Sequence, residues 1–439
     1  MPAPVSPPVA LDDRSWVTAA GALALLLGAV LATMLTEFLG ALVLVVVALA
    51  LPLMIVRLRT GWTYVPLLLV GSAVLLPLLT VAGRPADNYV ALAVTAGAFI
   101  ALLAARVCRG TPKLLMVGLA ILSVTAVLSA FSNRPDDAVV ALRFASYGVL
   151  AAALVRLDRR QMVIAQRAVL GLGLVLAASV YATYFGLVTL KLYADAEAEG
   201  FRVGGLIGHP NFAAYFLGLL LLAQLVLPGF RGPRWPVTAT VFVGAILLTG
   251  SRGAVIWLVL AALCGFRHWW SKSPLLLGLA ALALAAPGSV LIERFASLQA
   301  SGGLTGQNAA GWRFGQWERA LDLQDGMGAT GLGWTRAQEL LPAGLGVHNG
   351  YLQVFLELGL LGVLGLIIVI FALVRLGKGG KVPVAIMVFV LGTTIADPVL
   401  LYPPITYLLL VVLLTSKGDH RDDGGHAIPS PSTVSACPT

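Results

Sequence analysis

Apolar runs recur along almost the whole chain, and many are close to the ~20 residues that cross ~30 Å of hydrocarbon as a helix. They lie at 16–34, 37–56, 62–82, 89–107, 113–131, 138–155, 163–190, 206–227, 236–250, 253–267, 274–290, 349–375, 382–398 and 402–416. Hydrocarbon offers the backbone no hydrogen-bond partner, so a chain built this way folds as helices or as a closed barrel. Nothing in the pattern suggests a barrel. Charged residues make up 11% of the chain, against about a quarter in soluble domains. The expected fold is all-α: a polytopic helical membrane protein of about 12–14 transmembrane helices. The range reflects the short runs 236–250 and 253–267, which flank Ser251-Arg252-Gly253 and need not each cross fully.

The connections alternate in charge. One set holds Arg57 and Arg59; Arg106, Arg109 and Lys113; Arg156, Arg159 and Arg160; Arg231 and Arg234; Arg267 and Lys272; Arg375, Lys378 and Lys381. The opposite set is poorer in basic residues and carries Glu37, Asp87, Asp136, Asp137, Asp195, Glu197 and Glu199. The positive-inside rule makes the first set cytoplasmic and puts both termini inside. The net charge of +9 is then a topology signal and gives no reason to expect a nucleic-acid partner. Residues 1–418 read as one integral membrane domain. The N-terminus lacks the basic region of a cleavable signal, so the first span is expected to stay as an anchor. Residues 419–439 are polar and rich in Gly, Pro and Ser, and are expected to form a disordered cytoplasmic tail. Cys108, Cys264 and Cys437 are scattered, with neither disulfide nor metal-ligand spacing.

Two outer segments stand out, 191–205 and 291–347. Long connections without a function of their own are uncommon. The second contains W-R-F-G-Q-W-E-R-A-L-D-L (312–323), whose spacing suits a short amphipathic helix at the interface. Chemistry is therefore expected on this face. His348 and Asn349 stand at the mouth of the run 349–375, directly after the long loop. A neutral imidazole there can accept a proton from a sugar hydroxyl as a general base; the plainer alternative is a structural histidine at a helix end. Arg252 stands between two short apolar runs, at the start of a helix. Guanidinium plus the positive end of the helix dipole suits a phosphate or diphosphate; the alternative is snorkelling to headgroups. Arg202 and Arg313 are weaker anion-binding candidates, and Arg319 and Arg336 weaker still. In G-H-P-N-F, Pro210 starts or breaks a helix, and Asn211 is read first as its cap and second as a ligand contact. His268 reads as an interfacial anchor. Asp136-Asp137 lacks the partner cluster a metal site needs, and no cofactor motif is present.

At these residues the chain resembles the bacterial O-antigen ligase and O-antigen polymerase superfamily. The similarity runs from about Arg202 to Ile370, through R-V-G-G-L-I-G-H-P-N-F-A-A-Y, L-T-G-S-R-G-A and H-N-G-Y-L-Q-V-F-L-E-L-G-L-L-G. The last fits a ligase pattern of His, Asn, nine residues, Gly, two residues, Gly. The resemblance implies a GT-C-type integral-membrane glycosyltransferase without metal or cofactor. It would move a glycan from undecaprenyl diphosphate to an acceptor hydroxyl, of a glycan or glycolipid, on the outer face of the bacterial cytoplasmic membrane. It also implies that His348 activates the acceptor, that Arg252 holds the diphosphate, and that Arg202 and Arg313 take part in donor binding, with Asn211 and Asn349 beside the substrates. His209 stands where family members often carry Asn or another small polar residue. Two other functions remain open. One is a polymerase of the same superfamily, whose acceptor is a second lipid-linked repeat. The other is a transporter of lipid-linked sugars or small anions, for which Asp397-Pro398 near a span end is a weak sign.

Overall fold

The computed structural model describes residues 61–75, 80–81, 84–85, 112–132, 138–188, 190, 192–194, 201–265, 309–326, 329–333, 340–341, 347–378 and 384–415, with residues 91, 94, 95 and 98. The expected spans 16–34, 37–56 and 274–290, most of 89–107, and the tail 419–439 lie outside the described residues. So do Cys108, Asp136, Asp137, His268, Arg336 and Cys437.

The described chain is a bundle of helices. In order they are α1 (Tyr64–Leu75), α2 (Lys113–Ser132), α3 (Ala138–Leu154), α4 (Arg159–Tyr184), α5 (Pro210–Val226), α6 (Trp235–Leu248), α7 (Arg252–Gly265), α8 (Ala309–Asp322), α9 (Gly350–Lys378), α10 (Val384–Ala396) and α11 (Pro403–Thr415). Two small antiparallel ribbons accompany them: β1 (Thr80–Val81) with β2 (Arg84–Pro85), and β3 (Leu192–Ala194) with β4 (Phe201–Val203). Among the described residues, α2, α4 and α9 are long and apolar enough to cross a membrane. α1, α3, α5, α6, α7, α10 and α11 are apolar but shorter. α6 and α7 have 14 residues each, or ~21 Å of rise. The short corner at Ser251 therefore sits inside what two full spans would cover. Gly250 makes that corner, with φ +65, a conformation that costs glycine nothing.

Local sequence explains several helix starts. Asp158 caps α4: its carboxylate accepts from the Gln161 N–H at 2.8 Å, while Gln161 Oε1 accepts from the Asp158 N–H at 3.0 Å. That reciprocal pair satisfies two donors which a helix start leaves open. Pro210 opens α5 at a position where a missing N–H costs nothing. α11 opens on Pro403-Pro404 in the same way.

The packing follows membrane rules. All of α11 and nearly all of α5 are buried. The long helices α2 and α9 instead turn apolar side chains outward, among them Val124, Phe131, Leu360 and Ile367. Exposed apolar area of this extent faces lipid in a bundle of such composition. α2 and α9 approach closely at small residues: a Cβ on Gly118 would lie 2.8 Å from Val369 Cγ2, and one on Gly365 2.9 Å from Leu122 Cγ. Polar side chains bridge helices inside the core. Ser146 and Tyr407 share a hydrogen bond of 2.7 Å, and Gln166 Nε2 donates to Thr415 Oγ1 at 3.0 Å.

α9 is not a continuous helix. Gly359 has φ 63 and ψ −160, which breaks the ladder of backbone bonds two and a half turns below the helix start. Gly359, the first glycine of the Gly-x-x-Gly pair, makes the break. Backbone polar groups freed inside a membrane need new partners. Residues 329–333 of the long loop supply them. Leu332 N–H donates to Leu356 O at 2.8 Å, Gly333 N–H to Glu357 O at 3.2 Å, and Leu361 N–H to Ala329 O at 3.3 Å. The loop thus threads into the helix break and pairs with it like a short strand.

Candidate functional site

Three connections fix one end of the bundle. His348 precedes α9, Asp397 follows α10, and Arg202 and Asn211 flank the entry to α5. The long helix and its two neighbours run so that these ends meet. Arg156, Arg231 and Arg375 belong to the opposite helix ends, as the alternation of basic loops requires.

His348 Nδ1 lies 3.0 Å from Asp397 Oδ1. The carboxylate is 1% exposed and the imidazole 24%. Asp397 Oδ2 accepts from Asn211 Nδ2 at 3.0 Å and from the Tyr215 hydroxyl at 2.7 Å. Asn211 Oδ1 accepts from Arg202 Nη2 at 2.6 Å, and Arg202 Nε donates to Thr249 O at 3.3 Å.

The donor chemistry orders this network. A guanidinium has donors only, so the Asn211 atom facing Arg202 is its carbonyl oxygen. Its amide NH₂ then faces Asp397. Asp397 Oδ2 therefore accepts twice, as an ionised carboxylate does. The remaining oxygen faces His348 Nδ1. With the ring proton on that nitrogen, Nε2 would be the acceptor that a general base needs. A buried carboxylate is costly unless hydrogen-bonded, and Asp397 has Asn211, Tyr215 and His348 as partners.

His348 has φ 49, the sole positive φ outside glycine among the described residues. For a residue with a Cβ this costs roughly 1–2 kcal/mol, so the surroundings must hold it. Asn349 fastens the turn from one side. Its Oδ1 accepts the N–H groups of Tyr351 and Leu352, each at 3.0 Å, and so caps α9. The side chain that the resemblance put beside the substrate is engaged in that cap.

Asn211 is not the cap of its helix. Pro210 is the first helical residue and His209 the capping position, with no side-chain capping bond. Asn211 falls one residue inside, where its amide can bridge Arg202 and Asp397.

Arg252 opens α7 and is exposed. The next residue comes close to the network, since a Cβ on Gly253 would lie 3.3 Å from the Tyr215 hydroxyl. The anion-binding candidate and the His348–Asp397 pair are thereby brought to the same end of the bundle through Tyr215. Arg202 reaches it too, with its guanidinium turned to Asn211 and Thr249. Arg313 lies on α8, the amphipathic helix expected in the long loop. Its side chain is outside the described residues. Arg319, on the same helix, is exposed.

Aromatic rings border the site. His209 lies 4.7 Å from Phe212 between ring centroids, and Phe212 stacks on Tyr402 at 3.9 Å with planes 13° apart.

Two central residues were not recognised in the sequence. Asp397 was noticed only as a weak sign of transport, although an ionisable residue at the edge of an apolar span is a signal in itself. Tyr215 carries no local signal at all. Among the described residues no three His, Cys, Asp or Glu side chains gather as metal ligands. No protein-family model matches the chain, and no curated protein sequence matches it.

Proposed function

We propose that this chain is an O-antigen ligase-like glycosyltransferase of the bacterial cytoplasmic membrane. It moves a glycan from undecaprenyl diphosphate to an acceptor hydroxyl at the outer face. The observation that carries this reading is the His348–Asp397 pair, held at 3.0 Å among helix ends that also present Arg252. The sequence resemblance supplies the donor class and the GT-C type of fold.

In the proposed reaction the acceptor O–H gives its proton to His348 Nε2. The oxygen attacks the anomeric carbon of the donor sugar. The bond from that carbon to the diphosphate oxygen breaks, and its electron pair leaves with the lipid diphosphate. One displacement of this kind inverts the anomeric centre. Asp397 steadies the imidazolium that forms, and Asn211 and Tyr215 keep the carboxylate in place. Arg252 and the N-terminal amides of α7 meet the charge that builds on the leaving group. Fixed donors in a water-poor site are most effective where charge appears only in the transition state. Arg202 serves the carboxylate side, by fixing the Asn211 amide.

The test is a reconstituted one. The purified full chain in lipid vesicles receives a lipid-diphosphate oligosaccharide and candidate acceptors. Release of lipid diphosphate together with glycan transfer is the expected outcome. Movement of intact donor across the vesicle wall, with no transfer, would replace the enzyme by a transporter. A product lengthened on its lipid diphosphate would make the chain a polymerase. In this assay Arg252→Ala is expected to lower kcat/KM for the donor by about 10²–10³, as loss of one oxyanion contact does elsewhere. Unchanged donor affinity with unchanged turnover would remove Arg252 from the site.

A further inference from the structure

The outer-loop helix α8 is held against the start of α9 by an apolar cluster separate from the main core. Ala320, Leu341, Val347 and Leu356 are fully or almost fully buried in it, with Trp317 packed alongside. One polar bond accompanies this contact. Trp317 Nε1 donates to the Val347 carbonyl at 2.9 Å. Val347 immediately precedes His348, the residue with the left-handed backbone.

The turn at 347–349 is therefore tied at three points by three different elements. α8 holds the carbonyl before the histidine. The Asn349 side chain holds the amides after it. Asp397, beyond α10, holds the ring. A backbone in this conformation relaxes when a tie is cut, because its local preference lies elsewhere. The carbonyl of Val347 belongs to the peptide whose rotation sets φ of His348. Its hydrogen bond thus governs where the imidazole points.

We propose that Trp317 is a positioning residue for His348, so that docking of the outer-loop helix is what brings the base into register. This rests on the glycosyltransferase reading for its consequence in catalysis, but not for its structural content. It also explains why the base sits directly after a long loop. Arg313 lies one helical turn before Trp317 on α8. The helix that carries a candidate donor contact is the one that fastens the base.

The experiment uses Trp317→Phe in the full chain, which keeps an aromatic ring and removes the N–H. Glu318→Gln, exposed on the same helix, is the control. In the vesicle assay Trp317→Phe is expected to lower kcat by about 10–100-fold, the scale of a misplacement near 1 Å. Donor KM and melting temperature stay close to wild type, and Glu318→Gln changes neither rate constant. Combined with Asp397→Asn, the loss is expected to fall well short of the product of the two single losses, because both variants misplace one imidazole. A wild-type kcat per folded molecule in Trp317→Phe, or fully multiplicative losses, would overturn the proposal. A second readout needs no substrate: the ¹⁵N resonances of the His348 ring in nanodiscs, assigned by their loss in His348→Ala. The wild type is expected to show a protonated, hydrogen-bonded Nδ1, and Trp317→Phe a ring that exchanges freely with water. Identical spectra would overturn the proposal. Should wild-type protein transfer no glycan, the functional reading fails and these spectra alone decide the role of Trp317.

Discussion

Replacing His348 with alanine is expected to abolish the proposed glycan transfer while donor binding persists. The expected fall in kcat is about 10²–10⁴, the usual contribution of a positioned general base. The imidazole is 24% exposed where the Asp397 carboxylate is 1% exposed. Asp397 is buried and occupied at both oxygens, Asn211 is spent between Arg202 and Asp397, and the Tyr215 hydroxyl donates to the carboxylate. No neighbour in that set can take over the proton. The donor diphosphate is proposed to meet Arg252 and the start of α7, which His348 does not hold. Binding of radiolabelled lipid-diphosphate donor, measured beside single-turnover transfer, separates the two effects. Equal loss of binding and turnover would make His348 a ligand contact or a structural residue. Melting temperature is measured beside both, because Asp397 keeps the Asn211 and Tyr215 donors but loses the ring.

Alanine at Gly359 is expected to damage the fold itself. Its φ of 63 and ψ of −160 belong to a region that is essentially closed to residues with a Cβ. Space is also lacking. A Cβ there would lie 2.4 Å from Ala329 O and 2.5 Å from Gly331 N, both backbone atoms of the docked loop segment. Gly331 faces it with φ 78 and the same crowding against Glu357. The clash cannot be relieved by a rotamer change. It requires the loop to withdraw, which would strand the carbonyls of Leu356 and Glu357 within the membrane. Strain and overpacking together suggest a loss of about 3 kcal/mol or more. A clear fall in melting temperature, or aggregation on size exclusion after mild heating, is the expected reading. A variant that melts like wild type would show that α9 can run straight and that the loop contact is dispensable. Gly171→Ala on α4, where an added Cβ would meet nothing within 4 Å, is the comparison.

The helices were legible from sequence where the signal is local. Apolar runs, Pro210 in G-H-P-N-F, and the amphipathic spacing of 312–323 each report on their own neighbourhood. α5, α7, α8 and α11 form where those signals put them. The break at Gly359 was not legible. A Gly-x-x-Gly pair in an apolar helix reads equally well as a packing surface, and what selects the break is the arrival of residues 329–333 with free backbone groups. Asn211 was misread for a related reason. Capping depends on one residue of register, and Pro210 itself takes the first helical position.

The candidate site was half visible. His348 and Arg252 announce themselves because polar residues at the ends of apolar runs are expensive and therefore informative. Asp397 met the same criterion, but its meaning comes from a partner 49 residues away. Asn211 and Asp397 are separated by 186 residues, and no spacing rule connects them.

Sequence alone determined that the chain is helical, with helices long and apolar enough to cross a membrane, and where most of its helices start. Those outcomes follow from solvent transfer and backbone sterics, which act residue by residue. Only the tertiary structure decided which carboxylate faces His348, that Arg202 is turned to an amide, and that a loop enters the broken helix. Such choices depend on where three or four distant segments happen to meet. A hydrogen bond needs its partner within ~3 Å, and a linear chain carries no record of that distance.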